Sequence, residues 1–451
     1  MMKKILRVLS VSIMILGISG PALYAEDIAA GQSGTVPVET LPAGQSDSIP
    51  AGQTEGGAEE GQGVTSDIFG QEGGIVHPYI IVQERWTDNL FTTQSDEKSD
   101  FVTTIAPGIW LAFPANREKL LSLDTTTSAS GGMKLSRIKP EALRRFQTYF
   151  LYSPEVELYA DHSDQDHFNH NAQGLFQYNL NNGLSFDIID IFKDREDISD
   201  DGTSDTLYRY SSNLADFITT YDPSEKLTLR FDYSNYYLDY NEDVNDYRNR
   251  MDNGFDFYLF YKFTPKTSVF AQYAYTLIDY DDNDDYDNTE NKYFAGINWA
   301  MTTKSRGGFK VGYMEKSFDG AGIDTEDGLS FELQAQHNFS AKRAIQANAY
   351  RMFNESDMAS ASGYYNTGID VGLTQKFTEK ISATLNMTYE KHEYNQSDRE
   401  DDYIRLGPAM RWTPREWGFF DLAYYWTNKD SNENYYDYTS NMVILKFTAT
   451  L

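Results

Sequence analysis

The sequence predicts an all-β protein: a transmembrane, antiparallel, up-and-down β-barrel of about 18 strands with a disordered N-terminal extension. Three observations predict it. From residue 78 onward, apolar and polar residues alternate with period two in segment after segment. The connections between those segments alternate between tight turns and long, acidic loops. The chain has 451 residues, 15% of them aromatic. Yet beyond residue 25 it has no apolar run of the roughly 20 residues that a spanning helix needs. A barrel needs only alternation, so a mean hydropathy of −0.56 is compatible with a membrane protein.

Composition narrows the function classes. Lys and Arg number 38 against 68 Asp and Glu, a net charge of −30, which disfavours a nucleic-acid partner. Cys is 0, which removes disulfides, thiolate metal sites, Cys nucleophiles and a lipid-anchored Cys. No phosphate-cradling GxxxxGK[ST], no GxGxxG after a strand and no HExxH is present. Ser163 lies beside His162, but adjacent strand residues point to opposite faces, so nucleophile and base do not meet. The chain reads as a non-enzyme with no cofactor.

In order along the chain, Lys3, Lys4 and Arg7 form a positive start, an apolar run follows over residues 8–18, and Gly20, Pro21 and Ala22 break it. With Ala25 before Glu26, residues 1–25 read as a secretory signal peptide. Residues 26–77 are rich in Gly, Gln, Ser and Glu and repeat Ala-Gly-Gln at Ala30, Ala43 and Ala51. Such a segment buries too little apolar area to fold alone and is expected to be a low-complexity periplasmic tether. Residues 78–451 are the expected outer-membrane barrel. There Ile381, Ala383, Leu385, Met387 and Tyr389 share one face, and Ser382, Thr384, Asn386, Thr388 and Glu390 the other. Leu227, Leu229, Phe231 and Tyr233 separate in the same way from Thr228, Arg230, Asp232 and Ser234. Tight turns fall at residues 181–183, 222–225, 264–266, 303–306, 340–342, 378–380 and 413–415, with long loops between them. Counting the hairpins gives about 18 strands, the first starting near Tyr79 and the last near Tyr436.

Residues 114–147 break the pattern. Reading 121–130 as one more spanning strand would move every later turn to the other side and make the strand count odd. The segment is therefore expected to be an insertion on the periplasmic, short-turn side, with a Gly131-Gly132 break and a possible helix over residues 140–150.

The polar strand faces nominate lumen-lining residues: Arg230, Asp232, Asp256, Lys262, Glu332, Gln334, Gln336, Asp370, Lys376, Glu390 and Asp421. Their mixed signs suggest a wet wall rather than a packed core. In the insertion, Lys134, Arg137, Lys139, Arg144 and Arg145 face a single Glu141. They read as a solvated basic turn, a docking surface for a partner, or a partial plug. Asp161, His162, Asp164, Asp166, His167 and His170 are weak metal-ligand candidates, because imidazole and carboxylate are there in numbers but in no closed zinc spacing. The bland reading is a polar loop between two strands. Residues 281–290 start like a calcium loop, but Tyr286 and Lys292 stand where an EF-hand needs Gly and Glu.

The block at residues 84–101, E-R-W-T-D-N-L-F-T-T-Q-S-D-E-K-S-D-F, resembles the bacterial "putative β-barrel porin, type 2" family. Ala106-Pro107-Gly108, Tyr159-Ala160-Asp161-His162-Ser163-Asp164 and the Y-K-F-T-P turn at 261–265 add to the resemblance, which covers most of residues 78–451. It implies a Gram-negative outer-membrane channel, surrounded by outer-membrane lipid, for export of a secreted polysaccharide with a periplasmic polysaccharide-export protein as partner. The alternatives left open are a general, cation-preferring diffusion porin for small solutes, or a structural or adhesion barrel with acidic surface loops. Two features depart from the family pattern: the long insertion, and Leu451 where an aromatic residue is common.

Overall fold

The computed structural model describes residues 74–116, 123–137, 145–198, 207–302, 304–356 and 361–450. The expected signal peptide, the tether up to residue 73, Lys139 and Arg144 lie outside the described residues.

The described chain forms 18 strands of 12 to 16 residues. They are β1 (Val76–Thr87), β2 (Asp100–Phe113), β3 (Phe146–Tyr159), β4 (His167–Asn179), β5 (Leu184–Ile198) and β6 (Leu207–Tyr221). There follow β7 (Leu227–Tyr240), β8 (Arg250–Thr264), β9 (Thr267–Tyr280), β10 (Asn288–Thr302), β11 (Ser305–Phe318) and β12 (Glu326–Ser340). The last six are β13 (Arg343–Glu355), β14 (Gly363–Lys376), β15 (Ile381–Tyr394), β16 (Glu400–Arg415), β17 (Gly418–Ser431) and β18 (Tyr438–Thr450). Each pairs antiparallel with its sequence neighbours, and β1 pairs with β18 from Tyr79↔Thr450 to Thr87↔Met442, closing the barrel. Closure leaves no edge strand, so the ladders satisfy the backbone without water, as lipid requires. β1 starts three residues ahead of the expected Tyr79. Pro78 opposes Ile109 of β2 but lies beyond the end of the β18 ladder.

The two faces of each strand differ as alternation demands. Leu229, Phe257, Leu259, Val269, Leu373, Leu385, Met387 and Leu445 are exposed on the outside. Aromatic residues bound this apolar belt. Tyr261, Phe263, Phe339, Phe377, Trp412 and Trp417 lie near the short turns. Toward the long loops, Tyr313, Tyr389 and Tyr424 donate from their hydroxyls to Asp327 (2.6 Å), Asp402 (2.6 Å) and Asn441 (2.7 Å). Such rings suit the two membrane–water boundaries, with the polar tip toward water.

The interior differs from the expected wet wall on one side. Trp110, Leu175, Ile189, Leu214, Ile218, Tyr236 and Leu238 face inward at 0–1% exposure and form an apolar core against Leu123 and Met133 of the insertion. Parity put these apolar residues inside, and the insertion brings the apolar partners that cover them. Each contributes roughly 1.5–3 kcal/mol by burial. The expected helix over residues 140–150 is corrected where it is described, because Phe146 to Phe150 belong to β3. All five pair with β4, and Thr148, Tyr149 and Phe150 pair with β2 as well, so ladder pairing outweighs local helix preference.

Candidate functional site: the bore and the segment that crosses it

The insertion leaves β2 on the short-turn side and folds into the bore. Its first arm is anchored by backbone groups. Lys193 of β5 pairs with Asp124 and donates to the Thr125 carbonyl at 3.0 Å. Arg250 of β8 donates to the Thr127 carbonyl at 2.6 Å, and the Glu355 amide donates to the Ser128 carbonyl at 2.7 Å. Ala129 makes an isolated bridge to Asn354. The chain then reverses at Gly131 and Gly132, both left-handed at φ 73° and 72°. At Gly132 a β-carbon would sit 2.3 Å from the Tyr236 ring, so glycine is needed for space as well as for φ. The Gly131 amide donates to Asp252 at 2.8 Å.

The second arm, residues 134–137, reaches the walls mainly through ions and hydroxyls. Lys134 pairs with Glu390 of β15, which also accepts from Tyr350 and lies 3.2 Å from the His392 ring nitrogen. Glu332 of β12 accepts from the Ser136 amide at 3.1 Å and its hydroxyl at 2.7 Å. Arg137 lies 2.8 Å from Asp216 of β6 and 3.3 Å from Asp256 of β8, while Arg230 donates to its carbonyl at 3.1 Å. In the closed order β6 and β15 stand half a circuit apart. Residues 134 and 137 thus bond to opposite walls, and the segment crosses the bore. A cavity of about 100 Å³ remains between it and the β7–β13 wall, lined by Lys310, Glu332, Asp256, Gln272 and Lys292 among others.

The electrostatics of the segment follow from these contacts. Burial opposes ionisation of Asp124, but Lys193 beside it wins and holds the carboxyl below the usual range. Burial likewise opposes the charge on Arg137, and the carboxylates of Asp216, Asp256 and Asp232 outweigh it, so its pKa is raised. On the outer side, burial and the acids Asp279, Asp284 and Asp319 push Asp287 up.

The residues nominated from the sequence fall as follows. Arg230, Asp232, Asp256, Glu332, Glu390 and Asp370 sit on inward positions near the crossing segment, with Arg230 2.6 Å from Asp232. Thr388 donates to Asp370 at 2.9 Å. Lys262, Gln336 and Asp421 occupy inward positions nearer the short turns, where Lys262 lies 3.6 Å from Asp222, Arg306 donates to Gln336 at 2.8 Å and Arg411 to Asp421 at 2.5 Å. Gln334 donates to Glu332, and Lys376 ends β14. Of the basic cluster, Lys134 and Arg137 are 10% exposed and pair with wall carboxylates inside the bore. Arg145 stacks on Tyr178 at 5.7 Å just before β3.

The metal candidates do not converge. Asp100 takes the His162 ring at 2.8 Å, Asp166 accepts from the Tyr159 amide, His167 bonds the Gln165 carbonyl, and His170 faces outward onto Tyr152. Alternate strand positions carry them to opposite faces, and among the described residues no group of three or more such ligands could hold an ion. Sequence reasoning missed Asp216, Asp252, Arg250 and Glu355, which grip the insertion. Parity alone would have turned Asp216 and Asp252 inward, but nothing in the sequence says which wall position meets which insertion residue.

Residues 71–451 match the model of a family described as "Putative beta-barrel porin 2". No curated protein sequence matches the chain. Among solved structures it is similar to OpdO of Pseudomonas aeruginosa, at 9% identity over 85% of this chain and 99% of that one, with a TM-score of 0.45. OccK2 (OpdF) of the same organism, solved with glucuronate, is 7% identical over 85% and 99%, with a TM-score of 0.45. OccAB4 of Acinetobacter baumannii is 11% identical over 84% and 99%, with a TM-score of 0.44.

Proposed function

The chain belongs to the "Putative beta-barrel porin 2" family and is a porin-like channel of the Gram-negative outer membrane, and from that premise we propose that it passes small solutes by diffusion through a bore narrowed from within by residues 123–137. One observation carries this reading: Lys134 and Arg137, three residues apart, bond to opposite walls. A segment so held narrows the bore. The chemistry of the bore supports passage rather than reaction, since its ionic groups are mostly spent on one another. The test is single-channel recording in planar bilayers. The refolded chain is expected to conduct weakly, and a variant with residues 117–144 replaced by a short Gly-Ser turn several-fold more strongly. Equal conductance of the two, or none from either, defeats the reading.

A second reading, export of a polysaccharide, is implied by the family resemblance and favoured by one observation. The short-turn rim is basic, with Lys304, Arg306, Lys342, Arg343, Lys380 and Arg415, whereas the long loops are acidic, with Asp281, Asp282, Asp284, Asp285, Asp398 and Asp430. An acidic polymer would gather at such a periplasmic entrance. This reading requires residues 123–137 to leave the bore. Tethering the segment with a disulfide between Ser136→Cys and Glu332→Cys should then abolish surface polysaccharide, while small-ion conductance persists. Unchanged surface polysaccharide would remove it.

A further inference from the structure

Several inward glycines of the barrel make room for an aromatic ring. A β-carbon would meet the ring of Tyr79 at Gly108 (2.1 Å), of Phe270 at Gly296 (2.3 Å) and of Tyr425 at Gly407 (2.4 Å). Gly254 of β8 is different. No ring covers it, and a β-carbon there would meet the Ser234 hydroxyl at 2.6 Å and the Thr276 hydroxyl at 3.9 Å. Ser234 and Thr276 are its partners on β7 and β9, so a hydroxyl leans over the glycine from each side. No atom of the insertion is among the three nearest to that position. The notch opens instead on the cavity of about 100 Å³, which Ser234, Gly254 and Thr276 all line. Among the described residues neither hydroxyl makes a hydrogen bond. A glycine inside a strand weakens it and often marks a place where a ligand comes close. The charges around the notch are already matched. Along β8 the inward neighbours of Gly254 are Asp252 and Asp256, and Glu290 of β10 stands opposite Thr276. Asp252 lies 3.2 Å from Arg250, Asp256 3.3 Å from Arg137, and Glu290 2.5 Å from Lys292.

We infer that the Ser234–Gly254–Thr276 notch, with the cavity it opens on, is a binding site for a small neutral polyol. An anion entering the notch meets three carboxylates, and a cation finds each of them taken. An uncharged hydroxyl meets neither obstacle. It can donate to one wall hydroxyl while it accepts from the other, because each of the three is both donor and acceptor. The cavity has room for about six waters at roughly 15 Å³ each, which suits a solute of glycerol's size and not an oligosaccharide. Met133 and Leu135 of the insertion and Ala274 of the wall line the same cavity and offer apolar surface to the carbon chain of such a solute. The inference deepens the channel reading by naming a solute class, and it rests on that reading for passage; the binding itself does not depend on conduction.

Saturation-transfer NMR on the full refolded chain tests the binding. Glycerol is the probe, and glycerate and aminopropanediol are its anionic and cationic comparisons. The wild type binds glycerol more tightly than either comparison. Ser234→Ala and Thr276→Val each weaken glycerol binding about threefold to tenfold, the worth of one neutral hydrogen bond. Gly254→Val fills the notch and abolishes binding. Thr220→Val, which removes a buried hydroxyl outside the cavity, leaves binding unchanged. Heat-modifiable migration on gels establishes that each variant is folded; if Gly254→Val does not fold, the two hydroxyl variants carry the test. No binding by wild type, undiminished binding by the Ser234→Ala, Thr276→Val double variant, or either charged comparison bound as tightly as glycerol overturns the inference. Swelling of proteoliposomes in isotonic glycerol separates the site from the channel. Swelling without binding defeats the notch and leaves the channel reading standing. Binding that the two hydroxyl variants lose, with no swelling, does the reverse.

Discussion

At the scale of single residues, Glu390 decides how firmly the second arm is held. It is fully buried and depends on Lys134, Tyr350 and His392. Removing Lys134 alone strands a buried carboxylate, a change that costs about 3–5 kcal/mol in comparable pairs, whereas replacing both ions with apolar groups is often neutral. Lys134→Met should therefore lower the urea midpoint of the refolded barrel, and adding Glu390→Leu should restore most of it. If the double variant is as unstable as the single, the ion pair is not the link. Asp124 gives the pH dependence of the first arm. Its carboxyl is held below the usual value, so its pairing with Lys193 contributes stability that is complete above the unfolded value of about 4 and is lost as pH falls through the lower folded value. Amide exchange over residues 123–133 should quicken below about pH 4, and Asp124→Asn should quicken it at neutral pH. Little of this was legible beforehand. Alternation sets inward and outward without any knowledge of partners, which is why Arg230, Glu332 and Glu390 could be nominated from sequence.

Among the elements, the strands were legible and the insertion was not, for one physical reason. A barrel strand is specified by period-two alternation and by the turn that ends it, both local properties. Thus Leu184, Leu227, Glu326 and Ile381 begin strands where the pattern alone puts them. Residues 123–137 have no period, and their conformation is fixed by contacts with β5, β6, β8, β12, β13 and β15. Such contacts exist only after closure. The local rule can be tested at one pair of neighbours. Leu385 is 38% exposed on the outer belt, and Asn386 is on the opposite face of β15. Arg at mid-bilayer on the lipid face of a barrel costs about 2–4 kcal/mol. Leu385→Arg should cut the yield of heat-modifiable barrel, and Asn386→Arg should assemble as wild type does. Equal yields would mean that β15 does not face lipid as described.

On the scale of the whole molecule, the net charge of −30 is divided unevenly between two ends of one bore. Asp281, Asp282, Asp284, Asp285 and Asp398 lie in the long loops, while Lys342, Arg343, Lys380 and Arg415 crowd the short turns. Composition alone suggests a cation-preferring channel; the position of the charges says more, because one mouth attracts cations and the other anions. Ions driven in one direction then accumulate between the two mouths, and ions driven in the other are depleted. A pore of this kind rectifies. Current through an oriented channel should differ at least about twofold between the two signs of voltage in 10 mM salt, where fields reach roughly 30 Å, and become symmetric at 1 M, where they reach only about 3 Å. Replacing Lys342, Arg343 and Lys380 with Gln should reduce the asymmetry and raise the cation preference together, because only the acidic mouth is then left. A wild-type current that is symmetric in dilute salt would show that the two rims do not govern passage, and control would then fall to the segment that crosses the bore.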